Sequence, residues 1–262
     1  MEKPPVVILC GGEGTRLKEE TEYKPKPMVS IGGLPILWHI MKTYSHYGFD
    51  NFILCLGYKG YSIKNFFLSH QMMHNDFTIM LKDHSNNLKY HGKEEEDWTV
   101  TFAETGLKAQ TGARIKRIEK YVDSDNFLAT YGDGLSDVNL DSLYTFHKKQ
   151  NTIATLTAVH PSSKFGMVKP GKNGLIQEFV EKPVLEDYVG GGFFSFKKDI
   201  FDYLDDDDNC ILERKPFTEL VTNKQFSFFE HNGFWHAMDT YKDYLELNQM
   251  WDSGKKPWKV WD

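Results

Sequence analysis

The residues best suited to chemistry in this chain lie near its beginning, where a glycine-rich segment follows a short apolar run. Residues 6–10 are apolar, and three glycines fall within 11–14. Without side chains in the way, the backbone N–H groups of such a loop can form a concave nest that binds phosphate oxygens. Arg16 adds a planar guanidinium with five donors, and Lys26 adds a compact positive charge. Their spacing is short enough for both cations to face one anion, which favours a site for a nucleoside triphosphate.

Two widespread phosphate-binding loops do not match this segment. A Walker A loop would end in Gly-Lys-Ser/Thr, which does not follow here, and the dinucleotide fingerprint would need a third glycine where Leu17 stands. A purely structural turn after a strand is the alternative interpretation of the glycines. The combination with Arg16 and Lys26 favours phosphate binding.

The elements that must position these residues alternate between strand and helix over the first 160 residues. Strands are predicted over 6–10, 52–56, 77–81, 99–102, 127–131 and 152–159, and helices over 34–47, 61–70, 111–121 and 140–150. Polar residues 82–97 are predicted to be a surface excursion. Repeated β-α units indicate parallel strands with right-handed crossovers, and therefore an α/β, Rossmann-like doubly wound sheet. Ligands bind such sheets beyond the carboxyl ends of the strands, where the glycine loop and Asp133 lie.

The pattern changes after residue 160. Short strands are predicted over 166–169, 175–180, 192–196 and 225–230, and helices over 198–204 and 241–251. This pattern favours a small antiparallel C-terminal extension packed on a mostly parallel mixed sheet. The acidic run 205–208 is interpreted as a solvated loop, because its oxygen spacing matches no calcium-binding loop. Trp258 and Trp261 are expected to pack on the body or on a neighbouring subunit, since exposed tryptophans are costly.

Composition narrows the function classes. The chain has 262 residues, of which 40% are hydrophobic and 26% charged, as in soluble globular proteins with one large domain or two small ones. The net charge of −6 gives no basic footprint for nucleic acid. No run approaches 18 apolar residues and no signal pattern follows Met1, so we expect a cytoplasmic protein that does not bind membranes.

Other reactive residue types carry little signal. The cysteines lack CxxC spacing, and Cys10 and Cys55 lie in apolar runs, so we expect buried free thiols rather than zinc ligands or disulfides. His39, His160 and His236 show no metal-ligand spacing and are interpreted as structural.

Taken together, the motifs resemble those of the sugar-phosphate nucleotidylyltransferases. The signature of that family is Gly-Gly-x-Gly-Thr/Ser-Arg-Leu followed by a Pro-Lys-Pro lysine motif, and this chain matches it at 11–17 and 25–27. Further matching segments follow in the family's order at 132–133, 179–183, 191–194 and 235–240. The branch that transfers cytidylyl groups to glucose 1-phosphate is similar at 35–41, 57–61, 111–114, 131–134 and 257–259. The likeness covers residues 6–261.

The resemblance implies a transferase that converts CTP and a sugar 1-phosphate, first of all α-D-glucose 1-phosphate, into a CDP-sugar and pyrophosphate for polysaccharide biosynthesis. An oxygen of the sugar phosphate would attack the α-phosphorus in line with the departing pyrophosphate. That oxygen is already anionic, so no general base is needed, and no convincing Ser-His-Asp or Cys-His grouping is found. Arg16 would bind the triphosphate and offset charge on pyrophosphate, while Lys26 would bridge the α-phosphate and the incoming phosphate.

The resemblance also implies a Mg²⁺ ion held by Asp133 and Asp239. From the residues alone, Asp133 could equally be a turn residue, and Asp239 the N-cap of a following helix. Two carboxylates with phosphate oxygens and water would make an octahedral magnesium site. The residues matched to nucleotide binding are Leu9, Gly11, Gly12, Glu13, Gly14, Thr15, Arg16, Thr105, Gly106, Thr111, Arg114 and Gly132. Of these, Arg114 is expected to contact nucleotide phosphates at a helix start, with a surface arginine as the alternative.

The acceptor side is less well defined. Lys182 is a candidate for the sugar phosphate and Glu181 for sugar hydroxyls, with an ion pair at a strand end as the alternative; Gly191 and Gly192 complete the implied site. Gly190 stands where the glucose enzymes have asparagine. Losing that amide would cost about 0.5–1.5 kcal/mol, so another phosphorylated sugar or polyol, or a water in place of the amide, stays open.

The expected organisation is a single nucleotidyltransferase domain with a nucleotide-binding half over about 1–160 and an acceptor-binding and assembly half over about 161–262. The resemblance implies a homo-oligomer, a trimer or hexamer, associated through aromatic-rich segments. Two alternatives stay open: a member of the family that uses UTP or dTTP, and a regulatory subunit that binds nucleotide or sugar phosphate without turnover. The retained cations and carboxylates argue against the second, and the missing third glycine disfavours a dinucleotide-binding oxidoreductase.

Overall fold

The computed structural model describes residues 3–81, 88–92, 96–163 and 165–262. The elements up to residue 160 are β1 Val6–Leu9, α1 Lys18–Thr21, β2 Ser30–Ile31, β3 Leu34–Pro35, α2 Ile36–His46, β4 Asn51–Leu56, α3 Gly60–His74, β5 Phe77–Ile79, β6 Leu88–Tyr90, β7 Thr99–Glu104, α4 Thr111–Arg117, β8 Asn126–Tyr131, β9 Gly134–Ser136, α5 Leu140–Gln150 and β10 Ala154–Val159. The later elements are β11 Met167–Pro170, β12 Ile176–Val180, β13 Val189–Lys197, α6 Lys215–Thr222, β14 Phe226–His231, β15 Trp235–Ala237 and α7 Tyr241–Asp252.

Seven of these strands form one sheet in the order β14-β10-β13-β8-β1-β4-β7. The β8-β1-β4-β7 neighbours are parallel to each other, as are β10 and β14. Only β13, among the strands of this sheet, runs antiparallel to both of its neighbours, β8 and β10. The predicted α/β class with a mostly parallel mixed sheet is confirmed, and the carboxyl ends of β1, β4, β7 and β8 share one edge.

The central strands are apolar because helices cover both faces of the sheet. Along β1, Val6 and Ile8 point into a core shared with α2 and α7, whereas Val7 points into the core on the opposite face. This alternation follows from the two-residue period of a strand. Because β1 is buried on both faces, its C-terminal end is held in place, and so is the start of the glycine loop.

The structure differs from the predictions chiefly outside this sheet. The predicted strand at 77–81 is β5, which pairs with β6 in a separate hairpin; of the segment 82–97, residues 82–87 and 93–95 lie outside the described residues. The predicted helix over 111–121 divides into α4 and a 3₁₀ turn, and the one over 198–204 is a 3₁₀ helix. The short helices α1 and α6 were not predicted.

The predicted antiparallel extension divides into two parts. The strand at 192–196 is the centre of β13 and joins the main sheet, whereas β11 and β12 form a hairpin of their own. Every residue of β11 and β12 is exposed. The expectation that these two strands pack on the sheet was therefore wrong. The short runs between turns indicated the two strands correctly, but they could not show that the strand residues stay exposed among the described parts of the chain.

The terminal tail docks on the body of the same chain. Trp258 is fully buried and Trp261 is 8% exposed, and both rings lie beside His39 of α2. The predicted structural role of His39 is confirmed, since its Nε2 lies 2.8 Å from the carbonyl oxygen of Ile31. Burial lowers the pKa of the His39 imidazole to about 4.

Two smaller expectations also have outcomes. Cys10 and Cys55 are buried free thiols, as predicted, and burial raises the pKa of both. Within the described ranges, no helix is both long and apolar enough to cross a membrane.

Candidate active site

A cleft of about 690 Å³ opens at the carboxyl ends of β1 and β8. Much of its lining comes from three segments, namely the glycine loop after β1, residues 107–111 after β7, and the turn after β8; Lys26, Pro27, Arg114, Asn209 and Asp239 complete it. The predicted site residues that line it are Leu9, Gly11, Gly12, Glu13, Gly14, Thr15, Arg16, Lys26, Thr111, Arg114, Gly132, Asp133 and Asp239. The sheet thus gathers residues that lie as far apart as positions 9 and 239.

The glycine loop requires glycine at two positions for different reasons. Gly14 has φ +64°, a left-handed conformation that costs other residues energy. At Gly11, an added Cβ would lie 2.0 Å from Nη1 of Arg114, so any side chain there would displace the guanidinium. The positive φ of Gly14 and the close contact of Gly11 with Arg114 together give the loop its shape. Gly12 is open to the cleft, since an added Cβ there would have no atom within 4 Å.

Arg114 supports this loop from below. Its Nη2 donates a hydrogen bond of 2.9 Å to the carbonyl oxygen of Gly11, and its Nη1 donates to the carbonyl oxygens of Leu56 (3.0 Å) and Gly106 (2.9 Å) and to Oγ1 of Thr105 (2.8 Å). The residue is 4% exposed, and burial lowers its pKa. The expected contacts with nucleotide phosphates do not fit this arrangement, because protein oxygens already accept from the guanidinium. Thr105 and Gly106 lie behind the cleft wall as its partners.

Lys26 lies at the centre of the charged end of the cleft. Its Nζ is 2.6 Å from Oδ2 of Asp133 and 2.8 Å from Oδ1 of Asp239, and its side chain is 12% exposed. Burial lowers the pKa of the Lys26 ammonium, but the two carboxylates outweigh that effect and the net pKa is raised. Arg16 reaches Asp239 from the solvent side, with Nη2 3.2 Å from Oδ1.

A two-stranded sheet brings the two aspartates together across 106 residues. β15 pairs antiparallel with β9, and Ala237 faces Gly134 in the register. The N–H of Met238 then donates to the carbonyl oxygen of Asp133 (2.9 Å). Because each aspartate lies next to this pairing, both carboxylates point to the same side, where Lys26 meets them.

The donor set of this cluster fits a hard divalent cation. Asp133 and Asp239 converge on one positive charge, the Lys26 ammonium, and both offer only carboxylate oxygens. Mg²⁺ takes such oxygens, typically one or two carboxylates completed by water and phosphate oxygens. The open cleft beside the carboxylates leaves room for those further oxygens.

Comparison with known proteins adds independent information at this point. A family model described as nucleotidyl transferase matches residues 5–253. The chain belongs to the nucleotidyl transferase family. It is 44% identical over 258 residues to the glucose-1-phosphate cytidylyltransferase of Salmonella typhimurium, covering 98% of this chain and 99% of that protein.

Solved structures show the same fold at lower identity. The structure of HddC from Yersinia pseudotuberculosis matches with a TM-score of 0.66 at 22% identity, covering 95% of this chain and 100% of that one. The inositol-1-phosphate CTP transferase from T. maritima matches with a TM-score of 0.65 at 16% identity, covering 99% and 98%. These two likenesses support the transferase fold alone.

Of the residues predicted for the acceptor in this nucleotidyl transferase, Lys26 lines the cleft and the other four do not. Glu181 and Lys182 follow β12 at the end of the exposed hairpin, where their side chains lie 3.8 Å apart. Gly191 and Gly192 lie in β13 behind the cleft wall, and a Cβ on Gly192 would lie 2.4 Å from Cδ2 of Tyr131. The structure therefore brings most of the predicted nucleotide residues and both predicted metal ligands to the cleft, and leaves Glu181, Lys182, Gly191 and Gly192 outside its lining.

Several residues of the cleft wall were not predicted from the sequence as site residues. Tyr131 lines the cleft and donates to Glu213, whose Oε2 also accepts a 2.6 Å hydrogen bond from Thr111. Asn209 lines the cleft from the segment before α6. No local pattern marks Glu213 or Asn209; their place depends on contacts between distant parts of the chain.

The acidic run before Asn209 is more than the solvated loop that was expected. Arg117 of α4 donates from Nε to Asp206 (2.5 Å) and from Nη1 to Asp208 (2.9 Å). Hydrogen bonding to Asp206 is the largest cause of the raised pKa of Arg117. Although both aspartates are largely exposed, these pairs hold the segment against α4 and so place Asn209 at the cleft.

Proposed function

We propose that this nucleotidyl transferase transfers the cytidylyl group of CTP to a sugar 1-phosphate, with α-D-glucose 1-phosphate as the first candidate, and releases pyrophosphate. The observation that carries the proposal is the convergence of Lys26, Asp133 and Asp239 beside the glycine loop. The 44% identity to a glucose-1-phosphate cytidylyltransferase over nearly the whole chain supports the choice of substrates.

The reaction is a single in-line displacement. An oxygen of the sugar phosphate forms a bond to the α-phosphorus, while the bond from that phosphorus to the bridging oxygen of the β-phosphate breaks. The electron pair of the broken bond leaves with pyrophosphate, so atoms and charge balance without a proton transfer. Because the attacking oxygen is already anionic, no residue needs to act as a general base.

The cations of the cleft supply the electrostatic part of catalysis. The backbone N–H groups of the glycine loop bind phosphate oxygens, and Arg16 compensates charge on the departing pyrophosphate. The Lys26 ammonium stabilises the charge on the α-phosphate and the incoming phosphate together. Such preorganised charges are most effective in a partly enclosed site, and Lys26 is largely buried.

We further propose Mg²⁺ as the cofactor, with Asp133 and Asp239 as its protein ligands. A bound magnesium ion would neutralise part of the triphosphate charge. The oxygen-only donor set described above supports this assignment, as does the position of both carboxylates next to the glycine loop.

A homo-oligomer is part of the same proposal, with a second copy covering the β11–β12 hairpin. The hairpin exposes a group of large apolar side chains, namely Phe165, Met167, Val168, Ile176, Phe179 and Val180. Monomeric proteins rarely leave a contiguous apolar patch of this kind in water. We infer a reducing, cytoplasmic setting, because the three cysteines are free thiols.

The substrate assignment is tested by pyrophosphate release with CTP, UTP and dTTP against a panel of sugar and polyol phosphates, with and without Mg²⁺. We expect release with CTP and glucose 1-phosphate only when Mg²⁺ is present. Release with UTP or dTTP alone would refute the cytidylyl assignment. Nucleotide binding with no release for any pair would instead favour a regulatory subunit.

A further inference from the structure

The start of α7 contains a carboxylate that does more than cap its helix. Thr240 and Asp243 form a capping box: Oγ1 of Thr240 accepts from the N–H of Asp243 (3.3 Å), and Oδ2 of Asp243 accepts from the N–H of Thr240 (2.7 Å). The same Oδ2 also accepts from the N–H of Asp239 (3.0 Å) and from the hydroxyl of Thr240 (2.8 Å). The Asp239 bond is extra, since a capping box involves only the N-cap and N3 residues.

We propose that Asp243 is a positioning residue that fixes the backbone of Asp239 and thereby aims its carboxylate at the cation site. This inference rests on the proposed function, in which Asp239 is a ligand of Mg²⁺. It adds a residue that lies outside the cleft lining and touches neither substrate nor metal in that account. Groups that hold a metal ligand in place commonly affect metal affinity 10–100-fold.

The helix that carries Asp243 is itself fixed to the segment that follows Lys26. Oδ1 of Asn248 accepts from the N–H of Gly32 (3.1 Å), and Nδ2 of Asn248 donates to the carbonyl oxygen of Ser30 (3.3 Å). The Trp251 indole occupies the space over Gly32, where an added Cβ would lie 2.1 Å from its Nε1. Asp243 therefore holds Asp239 relative to a frame that is continuous with Lys26.

The two oxygens of Asp243 face different neighbours, and Asp243 also forms a group of possible metal-ligand atoms with His236 and Glu246, all within 4.8 Å of one another. Its Oδ2 accepts from three donors, and its Oδ1 faces Nε2 of His236 at 3.6 Å. Its side chain is 15% exposed. Its direct contact with Asp239 is the hydrogen bond that Oδ2 accepts from the Asp239 backbone N–H.

The chain offers a matched control for the capping function. Asn139 caps α5, and its Oδ1 accepts from the N–H of Ser142 (2.8 Å). Asn139→Ala therefore removes one helix cap without touching Asp239. Loss of a helix cap destabilises the folded state, so Asn139→Ala and Asp243→Ala are both expected to lower the melting temperature.

The test measures Mn²⁺ binding to the full chain by water-proton relaxation at saturating CTP without acceptor. We expect Asp243→Ala to raise the dissociation constant for Mn²⁺ at least tenfold and Asn139→Ala to leave it unchanged. Asp243→Asn keeps one acceptor oxygen, so its dissociation constant should lie between those of the wild type and Asp243→Ala. Wild-type Mn²⁺ affinity in folded Asp243→Ala would overturn the proposal and leave Asp243 as a helix cap. If Asp243→Ala does not fold, wild-type affinity in Asp243→Asn together with a melting-temperature loss equal to that of Asn139→Ala would overturn it.

The same titration separates this inference from the proposed function. A wild-type protein that binds Mn²⁺ tightly with CTP, together with an unaffected Asp243→Ala, contradicts the positioning role alone. A wild-type protein that shows no Mn²⁺ binding contradicts the metal assignment of the proposed function, and the positioning role falls with it.

Discussion

The residues predicted for the nucleotide and those predicted for the acceptor differ in how far one chain brings them together. On the nucleotide side, the glycine loop, Lys26 and the two aspartates meet in a cleft, and a buried arginine holds the loop. On the acceptor side, Glu181 and Lys182 lie on an exposed hairpin outside that cleft. Under the proposed function, the described residues gather the groups for triphosphate and metal in one cleft and leave Glu181 and Lys182 outside its lining.

The largest effect should come from breaking the nucleotide side at Lys26. Lys26→Met removes the charge that we assign to the two reacting phosphates, so kcat should fall about 10²–10³-fold, as when other preorganised donors are removed. Steady-state pyrophosphate release with CTP and glucose 1-phosphate measures this.

Lys24 supplies the matched control for that variant. Its Nζ pairs with Glu20 at 3.3 Å and it does not line the cleft. Lys24→Met should therefore keep the wild-type rate. Equal rates in Lys26→Met and Lys24→Met would contradict the role of Lys26.

The second-largest effect concerns the stability of the fold, whose free energy of unfolding should fall as the pH is lowered. Burial lowers the pKa of His39 to about 4, from 6.5. A neutral imidazole is therefore favoured in the folded state, and the stability that it contributes is full above pH 6.5 and is lost as the pH falls toward 4. Below that value both states are protonated and the loss stops, at about 3 kcal/mol for this one residue.

Urea denaturation at several pH values measures the effect, with His39→Gln as the comparison. His39 lies against Trp251 of α7, the helix that begins beside Asp239. In the variant, the unfolding free energy should depend less on pH between 6.5 and 4. Some dependence should remain, because burial also lowers the pKa of His147 to about 4 and this residue still titrates in the variant. An identical dependence in both proteins would show that His39 does not titrate in this way.

The acceptor side should respond more weakly and more selectively. Lys182→Ala removes an exposed charge, so we expect a KM for glucose 1-phosphate about tenfold higher, near the lower end for loss of one hydrogen bond to a charged group, with the KM for CTP unchanged. Lys169→Ala, on the same hairpin and 3.7 Å from Glu178, is the control. A rise in the KM for CTP instead would place Lys182 on the nucleotide side.

The smallest effect concerns Gly190. An added Cβ there would lie 3.4 Å from Leu156, which is ordinary contact, and its φ is not in the left-handed region. Gly190→Asn should therefore fold normally. We expect it to lower the KM for glucose 1-phosphate by a few-fold, the worth of one hydrogen bond. A raised KM for glucose 1-phosphate would indicate that glycine at 190 serves a different acceptor.

The contrast between the two sides also explains what the sequence could predict. The strand before the glycine loop, the loop itself and the Asp133 turn are local patterns, and each fixes its own conformation. The meeting of Asp133 with Asp239 depends on the β9–β15 pairing, which joins residues about 100 positions apart, and only the family resemblance connected them. The site roles themselves stay predictions, which the experiments above test.

Other features could not be predicted from neighbouring residues in the sequence, because they depend on contacts between distant parts of the chain. Arg114 looks like an exposed or phosphate-binding arginine in sequence, because nothing near it reveals that carbonyl oxygens from three segments surround it. The β11–β12 hairpin was predicted to pack on the sheet, yet every residue of its two strands is exposed in the part of the chain that the structure describes. Asp243 went unnoticed in the sequence, where Asp239 was the candidate N-cap; the structure has Thr240 as the N-cap, and the bond from Asp239 to Asp243 is visible only there.

The central claim is that the cleft exchanges a phosphate bond of CTP, and label transfer tests it most directly. The wild-type protein is incubated with Mg²⁺, glucose 1-phosphate and CTP labelled with ³²P at either the α or the γ position. We expect the α label in a sugar nucleotide and the γ label only in pyrophosphate. Recovery of the α label in CTP alone, or transfer of the γ label to the sugar, would contradict the claim.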